Sequence, residues 1–201
     1  MKRFYSENSK AITKFIVTHI VMSVLGIMVG LAVLAFEDDK AEGMSLLAVI
    51  GSIFTIGFMC FMHYDDMYFI AGREGIRERA ENIKPDRLKG LKITLFAYAP
   101  TLAVALISVI LHFAASDSVS AVGMLFYYAF QGSFLALYKL REVWGYPVYV
   151  AVTLLPAIIS SVLGYAMGYH DKTLRGLFGM KVDPPFDGPT ERMKGKKTDT
   201  K

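Results

Sequence analysis

The chain has 201 residues, 54% of them hydrophobic, and a mean hydropathy of +0.40. A soluble domain is nearer 45–50% apolar, and here the excess falls in long blocks between short charged stretches, the pattern of an integral membrane protein. One cysteine, Cys60, excludes an internal disulfide and any multi-thiolate metal site, and the net charge of +4 is too modest to suggest a nucleic-acid partner.

A helix needs about 20 apolar residues to cross roughly 30 Å of hydrocarbon. Residues 12–36 form the first such run. Its basic start (Lys2, Arg3, Lys10) resembles a signal peptide, but a signal core is only about 7–15 residues, so a retained helix is expected. Its small residues Ser23, Gly26 and Gly30 repeat at helical period beside His19 and include "GIMVG". Small residues let backbones approach closely where lipid offers little hydrophobic drive between helices. The acidic loop "EDDKAEG" (37–43) follows.

The second span covers residues 44–66. Ser45, Ala48, Ser52, Thr55, Met59, His63 and Asp66 share one side of it at 100° per residue. Asp65 points elsewhere, so the adjacent acids are not a catalytic pair. His63 and Asp66 near the inner end, with His19 on the antiparallel neighbour, are the candidate metal or proton site. The loop "GREGIRERAENIKPDRLKG" (72–90) alternates charge; Gly72 and Gly75 are expected to end the helix, and "IRERAENI" to form a short separate one.

The third span covers residues 91–115, with Pro100 inside it, and the fourth 148–169, with Pro156 inside it. Proline is tolerated where neighbours satisfy the freed carbonyl. The fourth carries Ser160, Gly164 and Gly168 at helical spacing. Between them, residues 121–138, "AVGMLFYYAFQGSFLALY", are short for a span and hold Gln131 and Gly132 centrally. The positive-inside rule arbitrates. With four spans, both termini are cytoplasmic, and only Lys40, Lys139 and Arg141 of the 22 basic residues lie outside. A fifth crossing would move the lysine-rich tail outside. Residues 121–138 are therefore read as a re-entrant or interfacial hairpin, with Tyr127, Tyr128, Tyr138, Trp144 and Tyr146 in an interfacial aromatic belt.

The expected fold is all-α: an integral membrane bundle of four transmembrane helices with that hairpin before the last helix, in one domain over residues 1–181. "KTLRGLFGMK" (172–181) suits an interfacial segment. Residues 182–201 read as a disordered, basic cytoplasmic tail in reach of anionic lipid.

The order "YDDMYFIAGREG", "DRLKGLKI", a tyrosine-rich hairpin and "LLPAIISSVLGYAMGYHDKTLRGLF" resembles small four-span membrane proteins of Gram-positive bacteria that have no assigned role. The resemblance implies the four-span topology in a cell (plasma) membrane and carries no function.

No metalloprotease, hydrolase, P-loop, thiol-redox or dinucleotide motif occurs. The leading expectation is a non-enzymatic accessory or interaction subunit of a membrane complex, meeting lipid or another membrane protein through its helix faces or outer hairpin, and without a cofactor. The alternative is a small-molecule or ion transporter, or its substrate-binding subunit, with Tyr98 and Gln131 lining a cavity. An intramembrane metal-dependent enzyme using His19, His63 and Asp66 ranks third.

Overall fold

The computed structural model describes residues 2–36, 45–81, 86, 88–114 and 116–170. The described residues are helical, without a strand. They form α1 (Lys2–Phe36), α2 (Leu46–Glu81), α3 (Lys89–Ala114), α4 (Asp117–Phe130), a 3-10 segment (Gly132–Leu137), α5 (Leu140–Trp144) and α6 (Tyr146–Tyr169). α1, α2, α3 and α6 are long and apolar enough to cross a membrane. The protein is an all-α, multi-pass membrane bundle, as the hydropathy blocks lead one to expect. The loop at 37–43, the segment 172–181 and the tail 182–201 lie outside the described residues.

The start of α1 defines a proximal end of the bundle and its last turn, at Phe36, a distal end. Because the spans alternate in direction, α2 and α6 begin distally and α3 ends there.

Two helices outrun their apolar blocks. No glycine or proline interrupts α1 before Gly26, so it begins at Lys2, and its extra turns lay Phe4 on Phe96 of α3 with ring centroids 5.6 Å apart. α2 runs on to Glu81 through Gly72 and Gly75, contrary to the expected helix end and separate charged helix. Gly75 serves packing instead of termination. A Cβ there would lie 2.9 Å from the Tyr169 carbonyl oxygen of α6, and Arg79 donates to that same oxygen at 3.3 Å. At about 1.5 Å per residue the 36 residues of α2 extend about 54 Å, well beyond the hydrocarbon.

Small residues set the helix contacts. On α6, a Cβ at Gly164 would meet the Tyr64 carbonyl of α2, and one at Gly168 the Tyr68 carbonyl. Ser161 is fully buried on the same face, while Ser160 sits half-buried at its edge. Ser52 and Thr55 are buried on α2. The "GIMVG" face of α1 meets the 3-10 segment and not another span: a Cβ at Gly26 would strike the Ser133 backbone, and one at Gly30 would lie 2.8 Å from Leu135.

The core has a proximal part around Phe15, Met59, Met67, Ile93 and Tyr98 and a distal part around Tyr127, Tyr128, Tyr146 and Tyr149. Tyr127, Tyr128 and Tyr146 are thus buried, not in an interfacial belt; Trp144 is exposed. Lipid accepts alkyl side chains and offers no partner to a phenol. Leu125, Phe126, Leu155 and Ile159 accordingly face out while the tyrosines turn in.

Gly26→Ala or Gly164→Ala should each lower stability by about 1–3 kcal/mol or more through overpacking. Gly57→Ala, whose Cβ would meet nothing within 4 Å, should be neutral or gain up to about 1 kcal/mol of helix propensity. Thermal unfolding in detergent checks the contrast.

Candidate functional site

The site is built on a helix break at membrane depth. α4 starts beside the distal end of α3, and its 14 residues descend about 21 Å. At Gln131 the backbone leaves the helical region (φ −119°, ψ 38°) and returns distally as the 3-10 segment. Ala136 then packs with Val33 and Ala48, which lie distally on α1 and α2. The segment enters and leaves at the same end, so it is re-entrant. Gly132 permits the turn: a Cβ there would collide with the Ser23 carbonyl of α1.

Broken backbone in hydrocarbon must be satisfied by protein. Ser23 does this twice, accepting from the Gly132 amide (2.8 Å) and donating to the Ala129 carbonyl (2.8 Å). Thr55 of α2 donates to the Ser133 carbonyl at 2.8 Å. Tyr149 of α6 donates to the Phe134 carbonyl at 2.9 Å. Ser133 in turn donates to the Met22 carbonyl at 3.1 Å. The residues expected only to pack helices therefore hold the hairpin by hydrogen bonds.

At the hairpin tip, Gln131 donates to the Tyr98 hydroxyl, and both side chains are fully buried. Tyr98 meets the His19 ring edge-on at 4.8 Å, and His19 stacks on His63 at 5.4 Å. Phe15 lies flat on the other side of His63 at 4.3 Å. Counting turns from the distal helix ends puts His19, His63, Tyr98 and Gln131 at about the same depth, roughly 20–25 Å down.

His19 Nδ1 and His63 Nε2 are 3.2 Å apart. One of these nitrogens carries the shared proton, so the pair has one free N–H and one free lone pair at its outer nitrogens. Those outer nitrogens, His19 Nε2 and His63 Nδ1, and Gln131 Oε1 are buried and make no hydrogen bond of good geometry, with the Phe130 backbone of α4 lying near His19.

Asp66 does not join the histidines. One carboxylate oxygen pairs with Lys14 of α1 at 2.7 Å, and the other accepts from Thr18 at 2.7 Å. Its side chain is 5% exposed against 56% for Lys14. Among the described residues no three His, Cys, Asp or Glu side chains are grouped to hold a metal, so the expected His19, His63 and Asp66 set is not assembled. Asp65 is half-buried and outside this pair, as its place on the helix wheel requires. Nor do Tyr98 and Gln131 line the described cavity, which lies at the distal end against His112, Met124, Arg141, Glu142, Gly145 and Tyr146.

Sequence reasoning missed the Lys14–Asp66 ion pair. The signal was present: Lys14 and Thr18 sit one turn apart on α1, two polar residues on one side of an otherwise apolar run. A further polar group links Glu74 to Lys89 (2.6 Å) and to the Tyr165 hydroxyl (2.7 Å), tying α2 to α3 and α6 proximally. Beyond the spans, the Lys92 ammonium bonded to Asp86 at 2.7 Å holds that carboxyl below its ordinary range.

No known protein-family model matches the chain, and comparison with curated proteins and with solved structures returns no match.

Asp66→Ala, which strands Lys14 and Thr18, should lower stability by about 1.5–3 kcal/mol. Asp65→Ala should change it by less than about 0.5 kcal/mol. Equal effects in thermal unfolding would mean the ion pair does not fasten α1 to α2.

Proposed function

We propose that the protein is a non-enzymatic carrier of a small molecule or ion, or the substrate-binding subunit of one. It would reside in the cell membrane with both termini cytoplasmic. The observation that carries this reading is the re-entrant break at Gln131, set beside a buried histidine pair with polar atoms left unpaired. Irregular backbone at membrane depth is kept where it is buried in protein or lines a water-filled cavity. Ionisable side chains at that depth mark substrate, ion or proton paths, and transporters build binding sites from interrupted helices near mid-membrane.

The orientation rests on charge. Lys14, Arg73, Arg77, Arg79, Lys89 and Lys92 all belong to the proximal end, which supports a cytoplasmic assignment there. Lys139 and Arg141 belong to the distal end.

A second reading, an accessory or interaction subunit, draws support from the glycine contacts. Gly26 and Gly132 seat the hairpin directly on the α1 backbone, which suits a rigid element whose outer surface meets another membrane protein.

Water access at the hairpin tip separates the two. In a Cys60→Ser background, Gln131→Cys should react with a membrane-impermeant thiol reagent from at least one side. Met28→Cys, on the exposed lipid-facing side of α1, should not. A Gln131→Cys thiol as inert as that at position 28 would contradict the carrier reading and leave the interaction subunit.

A further inference from the structure

A ligand with volume has no surface to meet at the hairpin tip. His19, His63, Tyr98 and Gln131 are each 5% exposed or less. The two histidine rings already touch at hydrogen-bond length, 3.2 Å between Nδ1 and Nε2. Phe15 lies flat on His63 at 4.3 Å and Tyr98 meets His19 edge-on at 4.8 Å. Among the described residues no third His, Cys, Asp or Glu joins the pair to hold a metal.

A proton needs no cavity. The neutral pair shares one N–H···N bond and keeps one lone pair at an outer nitrogen. Water at the site delivers a proton to that lone pair, and no bond within the protein breaks. The shared contact becomes charge-assisted, roughly twice as strong as its neutral form, and each outer nitrogen then carries an N–H. Acceptors stand beside it. Gln131 Oε1 is buried without a hydrogen bond of good geometry, on a side chain tied to Tyr98. The Phe130 backbone lies near His19. The face of Phe15 offers its negative quadrupole to a charged His63.

The other titratable groups around the pair leave it without a counter-charge. On the proximal side Lys14 of α1 and Asp66 of α2 are bonded to each other, with Asp65 half-buried next to them. The Cys60 thiol of α2, the Tyr98 phenol of α3 and the Tyr127 phenol of α4 carry no charge near neutral pH. The hairpin brings Gln131, and α6 brings Ser160 beside Cys60. Among the described residues no carboxylate pairs with either histidine. A buried cation without an anion or water is costly. The closed bundle therefore holds the pair neutral, and a proton loads as water enters past the hairpin.

We propose, resting on the carrier reading, that the ion is the proton, that His19 and His63 bind it jointly, and that loading is coupled to opening of the hairpin tip. Reclosing on the dry pair returns the proton to water. Acid favours the open form, because only that form holds the charge. A histidine in water titrates at about 6.5, so the open population should rise about thirtyfold between pH 8 and pH 5.

Deuterium exchange of the full chain in nanodiscs at these two pH values tests this, with each rate corrected for chemical exchange. The informative amides are Gly132, bonded to Ser23, and Phe134, bonded to the Gln131 carbonyl. They should lose protection by about thirtyfold at pH 5, while α6 amides around Ala157 keep theirs. The double variant His19→Gln with His63→Gln should lose the pH effect, and Asp66→Asn should retain it. In nitrogen-15 spectra of histidine-labelled wild type, the two rings should be neutral at pH 8 and gain one proton between them as protection falls. The proposal is overturned if wild-type protection is independent of pH, or if the double variant, helical by circular dichroism, keeps the effect. Rings that stay neutral while protection falls would overturn it as well. Thiol access at Gln131 reports separately on the carrier reading: a reactive thiol with pH-independent protection removes the proton and keeps the carrier.

Discussion

The structure depends on one constraint: a backbone that stops being helical inside hydrocarbon has to find every hydrogen bond within the protein. Residues 131–137 break the helix at depth, and three spans are shaped to receive them. α1 supplies the Ser23 hydroxyl and the bare Gly26 surface, α2 supplies Thr55, and α6 supplies Tyr149. Interhelical hydrogen bonds in membranes are worth about 0.6 kcal/mol on average. An unsatisfied group in hydrocarbon costs several kcal/mol. The four bonds matter less for what they add than for the penalty their absence would impose. They fix where the hairpin can turn, and so fix Gln131.

From that fixed point the polar interior follows. Gln131 meets Tyr98 because α4 descends as far as α3's lower half, and Tyr98 meets His19 because α1 is held against the hairpin by Gly26. The histidines lie inward of the Lys14–Asp66 ion pair, away from the water that reaches Lys14. The histidine pair, flanked by an ion pair on one side and a re-entrant tip on the other, meets water only if the tip admits it. On the carrier reading, local movement of the hairpin is the step that transport would require. The 3-10 segment, with its weaker hydrogen-bond geometry, is the part of the bundle best suited to move.

The spans were legible because hydropathy and helix length are properties of consecutive residues. The inward side of α2 was legible too, since Thr55, His63 and Asp66 repeat at helical period and all are buried. The meeting of His19 and His63 followed from two antiparallel neighbours of equal length. What could not be read were partners set by tertiary contact. Nothing local says that Gly26 serves a hairpin over a hundred residues later, or that Gly75 admits a carbonyl of α6 and not a helix end. The tyrosines misled for a related reason. Aromatic residues near span ends suit either the interface or a buried cluster, and only packing decides between them. Asp66 was placed on the right face, but its partner Lys14 lay on another helix.

Sidedness of the hairpin is the most direct test of this account. With Cys60 replaced by serine, single cysteines at Ser118 and Val143, both exposed at the hairpin's two ends, are labelled in sealed vesicles with an impermeant thiol reagent. A re-entrant segment places both on the same side of the membrane. Labelling from opposite sides would make residues 117–144 a crossing segment and contradict the account.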